Sequence, residues 1–217
     1  MVDKKIIWLC WFQGELHSSL PKLNKQCIHQ WRKFNWDCDV VVLTYATINK
    51  YVPEFFDILN KSPKRTFQAQ SDLLRLLLLY KHGGVWVDSS VYPVKPLRQF
   101  YRDIVNQTNF FAYRVNNQLR TSSWFLCVDE SHHYLVSAWM EKFIENFISL
   151  SDWPYFTLHD TLSELCGSDD KIKYIINNMV QIQTKIPHSA CGCGGWLKRQ
   201  PSFVYKNPRL PVELYNT

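Results

Sequence analysis

The chain has 217 residues, 46% of them hydrophobic, and its 25 basic against 19 acidic side chains give a formal charge of +6. This is the composition of a folded protein long enough to bury a core, and not of a disordered tail. The seven glycines (14, 83, 84, 167, 192, 194 and 195) spell neither a G-x-G-x-x-G fingerprint nor a Walker A loop, so Rossmann dehydrogenases and P-loop kinases are poor candidates.

Lys5 to Cys10 reads as a buried strand. Pro21 to Phe34 comes next as a helix with Leu23, Cys27, Ile28 and Trp31 on one face, and Cys38 to Leu43 as a second strand. Strand, helix, strand points to a parallel α/β sheet. A helix from Ala69 to Lys81 stops at Gly83-Gly84, which suit a left-handed cap, and Val85-Trp86-Val87 begins another strand. Phe110 to Tyr113 and Trp124 to Val128 read as further strands. Tyr134 to Ile148 and Leu158 to Val180 read as helical, and the end from Pro187 as irregular.

The charge is scattered in pairs such as Lys4/Lys5 and Lys64/Arg65, with no basic run, so a nucleic-acid partner is not expected. The seven cysteines are an odd number without a regular framework, and are expected to be mostly reduced, buried thiols. Ile6 to Phe12 behind Lys4 and Lys5 is short for a signal peptide and lacks a small-x-small cleavage site. No stretch approaches a membrane span. The expectation is a soluble, cytoplasmic protein.

Two charges interrupt the apolar helix, Asp72 and Arg75, spaced i, i+3 and able to pair internally or to serve a site. The next strand ends on Asp88-Ser89-Ser90, and in α/β sheets ligands bind outside the carboxyl ends of strands. A carboxylate there suits a hard divalent cation bridging a diphosphate, although a lone strand-end Asp also serves turns and caps.

The blocks Ile7-Trp8-Leu9-Cys10-Trp11-Phe12-Gln13-Gly14, Ser71-Asp72-Leu73-Leu74-Arg75 and Gly83-Gly84-Val85-Trp86-Val87-Asp88-Ser89-Ser90, with Ser122-Ser123-Trp124-Phe125 after them, resemble the capsular polysaccharide synthesis glycosyltransferases. These are relatives of the family 32, DXD-containing glycosyltransferases. The resemblance implies a single GT-A domain, with a mixed, mostly parallel sheet flanked by helices. Residues 1–95 would be the nucleotide-sugar half, and residues 96–217 the acceptor side with a C-terminal loop. It implies a nucleotide-sugar donor, a UDP-sugar by preference, a saccharide or glycan acceptor, and Mn²⁺ or Mg²⁺. Trp11 matches the aromatic that stacks on the nucleobase, with Gln13 beside it. Asp72 and Arg75 match the pair that holds the donor ribose and sugar, and Asp88 matches the first acid of the DXD motif. Ser90 stands where the second acid belongs. A catalytically weakened nucleotide-sugar or glycan-binding module is therefore the alternative.

Other groups are candidates to complete the site. His188 is the best placed by composition to join Asp88 and Ser90 on a metal, with a role-free loop histidine as the alternative. Cys191-Gly192-Cys193 lacks the second cysteine pair of a structural zinc site and reads as a loop closing over the donor, with Lys198 and Arg199 near phosphate or simply solvated. His159-Asp160, the one adjacent His/Asp pair, offers a base or acceptor ligand, with a helix cap as the alternative for Asp160. His132 and His133 read as surface residues at a helix start.

Overall fold

In the computed structural model, which describes residues 4–115, 121–184 and 203–206, Ile6–Cys10 form β1 and Asp39–Leu43 form β2. They pair in parallel from Ile6 with Asp39 to Cys10 with Leu43, and the crossover between them is α1 (Lys22–Phe34). Cys27, Ile28 and Trp31 are buried on the inner face of α1. Two short helices come after β2, α2 (Tyr45–Ile48) and α3 (Glu54–Lys61).

The apolar helix forms as α4 (Phe67–His82), started by Thr66, whose side chain accepts a hydrogen bond from the Ala69 amide. It is buried nearly all round. Leu73, Leu74, Leu76, Leu78 and Leu79 have no solvent exposure and Leu77 only 3%, each contributing roughly 1.5–3 kcal/mol. The chain reverses at Gly83 and Gly84, whose φ angles are 62° and 92°, and β3 (Gly84–Val87) enters the sheet parallel to β1. A Cβ on Gly84 would lie 2.5 Å from the Ile6 carbonyl oxygen, so only glycine passes there.

Next come β4 (Val91–Pro93), α5 (Tyr101–Val105), β5 (Phe110–Val115) and β6 (Thr121–Val128). Helices α6 (Tyr134–Ser149), α7 (Thr157–Ser168) and α8 (Asp170–Asn178) lead to β7 (Gln183–Thr184). The main sheet has the order β2-β1-β3-β6-β5-β7, with β6 antiparallel to both neighbours and the other three pairings parallel. This is the mixed, mostly parallel, helix-flanked sheet expected from the sequence. Alternation along the strands sends Ile7, Leu9, Val85 and Val87 to one face, under Trp31 and Ile104, and Trp8 and Trp86 to the other, under α4 and α6.

Several expectations are corrected. Residues 158–180 do not form one helix. The chain turns at Asp169, whose extended backbone ends α7 and whose carboxylate caps α8 by accepting from the Lys171 and Ile172 amides at 2.9 and 3.0 Å. The irregular end contains a strand, β8 (Val204–Lys206), antiparallel to β4. His133 is not a surface residue: its ring lies parallel to Phe110 at 6.0 Å and Nε2 meets the Thr108 carbonyl at 3.0 Å. Arg65 is buried as well, because its guanidinium lies 4.6 Å from the Trp153 ring and donates to the Phe147 and Leu150 carbonyls at the end of α6.

Among the described residues, Cys10, Cys27, Cys38, Cys127 and Cys166 are free thiols. Burial pushes the Cys27 thiol up to about 12, against the nearby Lys206 charge. Among the described residues no helix is long and apolar enough to cross a membrane.

Candidate functional site

Because β1 and β3 are parallel neighbours, their carboxyl ends emerge side by side, and the segments leaving the two strands share one edge of the sheet. After β1 comes Trp11, whose amide continues the pairing by donating to the Leu43 carbonyl at 3.0 Å, and then a tight turn closed by Gly14 (φ 97°). After β3 comes Asp88, whose amide donates to the Trp124 carbonyl on β6 at 2.9 Å. Helix α4 runs the opposite way, so its first turns, with Phe67, Gln68, Ser71 and Arg75, reach the same edge.

These ends enclose an open cavity of about 420 Å³. Trp11, Gln13, Ser71, Arg75, Trp86, Asp88, Ser89 and Ser90 line it, with Asn24 of α1 donating to Ser89 Oγ at 2.8 Å. Trp11 is half-buried, lines the cavity, and donates its indole N–H to Ser19 Oγ at 3.3 Å. Trp8, three residues earlier, is fully buried on the opposite sheet face, with its N–H on the Gly83 carbonyl at 2.9 Å.

The Asp72/Arg75 pair forms, at 2.8 Å, with both side chains almost fully buried. Arg75 is shared more widely than the spacing implies. It donates to the Ser123 carbonyl at 2.6 Å, lies 5.1 Å from the Trp86 ring and approaches Asp88 Oδ1 at 3.5 Å. Asp72 does not line the cavity; it stands behind Arg75 and fixes it. Burial pushes the Asp72 carboxyl up to about 7, opposed by Arg75 and reinforced by Asp88.

Sequence patterns miss the decisive partner of Asp88. Lys206 of β8, from the half expected to serve the acceptor, lines the cavity and donates to Asp88 Oδ2 at 2.6 Å. Trp86 donates to Oδ1 of the same carboxylate at 3.0 Å. Burial alone would raise Asp88, but Lys206 and Arg75, with the hydrogen bonds from Lys206 and Trp86, hold its carboxyl below the usual range. Phe67 and Gln68 are likewise unannounced by any motif; Phe67 joins an aromatic cluster with Phe12 and Tyr45.

Among the described residues, the donor set does not suit the divalent ion that the resemblance implies. An ion such as Mg²⁺ requires oxygen ligands at about 2.0–2.1 Å in near-octahedral order. Here an ammonium stands against one oxygen of Asp88, an indole N–H and a guanidinium face the other, and Ser90 supplies no charge. Among the described residues no three His, Cys, Asp or Glu gather as a metal site. His188, Cys191, Cys193, Lys198 and Arg199 lie outside the described residues.

His159 and Asp160 are not among the cavity-lining residues. They ride on the first turn of α7, His159 edge-on to Phe156 at 5.7 Å and Asp160 exposed and past the cap position, because Thr157, Leu158, Thr161 and Leu162 are the residues that α7 buries. One link connects this region to the cavity: Gln68 donates to the Tyr155 carbonyl at 3.3 Å.

The sequence matches the family model described as "Capsular polysaccharide synthesis protein" over residues 1–190. The chain belongs to that family. No curated protein matches it. Among solved structures, this family member is similar to the PaToxG glycosyltransferase, with a TM-score of 0.49 and 16% identity over 79% of this chain and 73% of that one. It is also similar to the ligand-free glycosyltransferase domain from the YGT toxin (TM-score 0.41, 11% identity, 80% of this chain and 71% of that one). For the UDP-bound form of that domain the values are 0.41 and 12%, over 77% and 68%.

Proposed function

We propose that this member of the capsular polysaccharide synthesis family is a glycosyltransferase that moves a hexose or pentose from a UDP-sugar to a hydroxyl of a saccharide or glycan. The observation that supports it best is the convergence of Trp11, Arg75 and Asp88 on one cavity at the carboxyl ends of β1 and β3. In this reading the Trp11 ring, with Gln13 beside it, takes the flat uracil face, an uncharged contact. Ser71, Ser89, Ser90 and Asn24 offer hydroxyls and an amide for ribose and sugar, and Arg75, held rigid by Asp72, addresses the sugar-phosphate. The acceptor crosses the exposed rings of Phe67 and Tyr155, and His159 and Asp160 serve it from α7.

Residues 1–95 supply most of the donor side in this reading, and residues 96–217 the acceptor side together with Lys206. The test is a panel of nucleotide sugars read by melting temperature, and then transfer and slow donor hydrolysis with the best binder. A ligand at a hundredfold its Kd stabilises the fold by about 2.7 kcal/mol, so the preferred donor stands out. Stabilisation by UDP-sugars with turnover supports the proposal. Binding without transfer or hydrolysis of any donor points to the binding module instead, and no stabilisation by any nucleotide sugar overturns both.

A further inference from the structure

We propose that Lys206 is the resident cation of the donor site: together with Arg75 it receives the diphosphate of the nucleotide sugar, and donor binding requires no divalent ion. The proposal rests on the donor reading of the cavity and adds the group that handles its charge.

The geometry is that of a built position and not of a surface lysine. Lys206 sits opposite Val91 in the antiparallel β4–β8 pair, three residues beyond Asp88, and its side chain is 11% exposed. Its strand is anchored by Val204, fully buried, and by Phe203, stacked on Phe100 at 4.4 Å. By contrast Lys22, Lys25 and Lys33 of α1, the helix that brings Asn24 to the cavity, are all exposed. An ammonium has three N–H donors, and the bond to Asp88 uses one of them. Arg75 flanks the other oxygen of Asp88, so two positive groups are fixed on one carboxylate that lines the cavity.

Two carboxylates and a divalent cation sum to zero, and so do Asp88, the neutral Ser90 and the Lys206 ammonium. Replacing an acid by Ser90 and an ion by Lys206 preserves the local charge while removing the need for metal.

In transfer, the bond between the anomeric carbon and the β-phosphate oxygen breaks with its electron pair on that oxygen. The acceptor oxygen bonds to the anomeric carbon, and the acceptor proton leaves to solvent. Lys206 and Arg75 then meet the negative charge that gathers on the departing diphosphate, from positions set before the reaction begins.

The experiment is calorimetric binding of UDP and of uridine to the EDTA-treated chain, with and without added Mn²⁺ or Mg²⁺. The parent is expected to bind UDP without metal, with an affinity that either ion changes by less than about twofold. Lys206→Met should lose about tenfold or more in UDP affinity, equivalent to about 1.4 kcal/mol, while keeping its affinity for uridine, and Lys206→Arg should retain UDP. A purely structural lysine would not separate UDP from uridine. Combining Lys206→Met with Ser90→Asp should make UDP binding depend on Mn²⁺. If the parent binds uridine but binds UDP only with metal, or if Lys206→Met binds UDP as the parent does, the proposal is overturned while the nucleotide reading stands. If neither uridine nor UDP binds the parent, both fall. Should Lys206→Met not fold, the metal-free parent and Lys206→Arg still decide.

Discussion

Arg75 and Asp88 stand at one level of the molecule, with Nη2 3.5 Å from Oδ1, although the chain reverses at Gly83 and Gly84 between them. The reason is a match of lengths. From Arg75 to the reversal the helix descends about 12 Å at 1.5 Å per residue, and from the reversal to Asp88 the strand climbs about 13 Å at 3.3 Å per residue. The buried helix charge and the strand-end acid therefore face one cavity, and Asp72, one turn away on α4, stands behind Arg75 and holds it at 2.8 Å.

Trp11 and Trp8 differ in exposure although both belong to the first block. Trp11→Ala is expected to weaken UDP and UDP-sugars alike by about 1–3 kcal/mol, as for a base stacked on an aromatic ring, with little change in melting temperature. Trp8→Ala removes a fully buried ring and strands the Gly83 carbonyl, and is expected to cost about 3–5 kcal/mol of stability. Calorimetry and thermal melts on both variants check this. Unchanged nucleotide affinity in Trp11→Ala would make it a packing residue.

Asp72 gives the stability a definite pH slope. Its carboxyl is pushed up to about 7 mainly by burial, so between the unfolded value near 3.8 and that pH the folded chain holds a proton that the unfolded chain has released. Its contribution is full at the acid end of this window and declines as pH rises through it, by at most about 1.4 kcal/mol per pH unit. Asp72→Asn lacks this slope, so the stability of the parent relative to the variant should shrink across the window and stay level above it. Asp88, with its carboxyl held low, works in the opposite sense and only under more acid conditions. Denaturant melts of both proteins across the range test it, and a constant gap would mean that Arg75 keeps Asp72 ionised throughout.

Two glycines should respond oppositely to alanine. At Gly84 the positive φ and the Ile6 carbonyl at 2.5 Å leave no room for a Cβ, and Gly84→Ala is expected to destabilise by more than about 1 kcal/mol. At Gly167, within α7, an added Cβ meets nothing within 4 Å, and Gly167→Ala should stabilise by up to about 1 kcal/mol. Melting temperatures of the two variants give the answer directly.

Local features are written in the amino-acid sequence. Hydrophobic runs mark β1, β2 and β3, the leucine-rich stretch with its closing glycines marks α4, and because helix and strand rises are constants of the backbone, the meeting of Arg75 with Asp88 is also implicit in the spacing. The break at Asp169 was legible too, since an Asp ahead of Asp170 and Lys171 is a helix-start signal. Folding supplied the partners that arrive from elsewhere. Lys206 lies 118 positions from Asp88, and nothing in its neighbourhood distinguishes it from a solvated lysine until β8 pairs with β4. His133 reads as a surface residue in sequence and is buried, as is Arg65, because the carbonyls that satisfy them, Thr108 and Phe147, belong to segments brought near only by folding. Periodicity reports which face a residue takes on its own element, whereas the charge of a site depends on which elements meet there, and that is settled by packing.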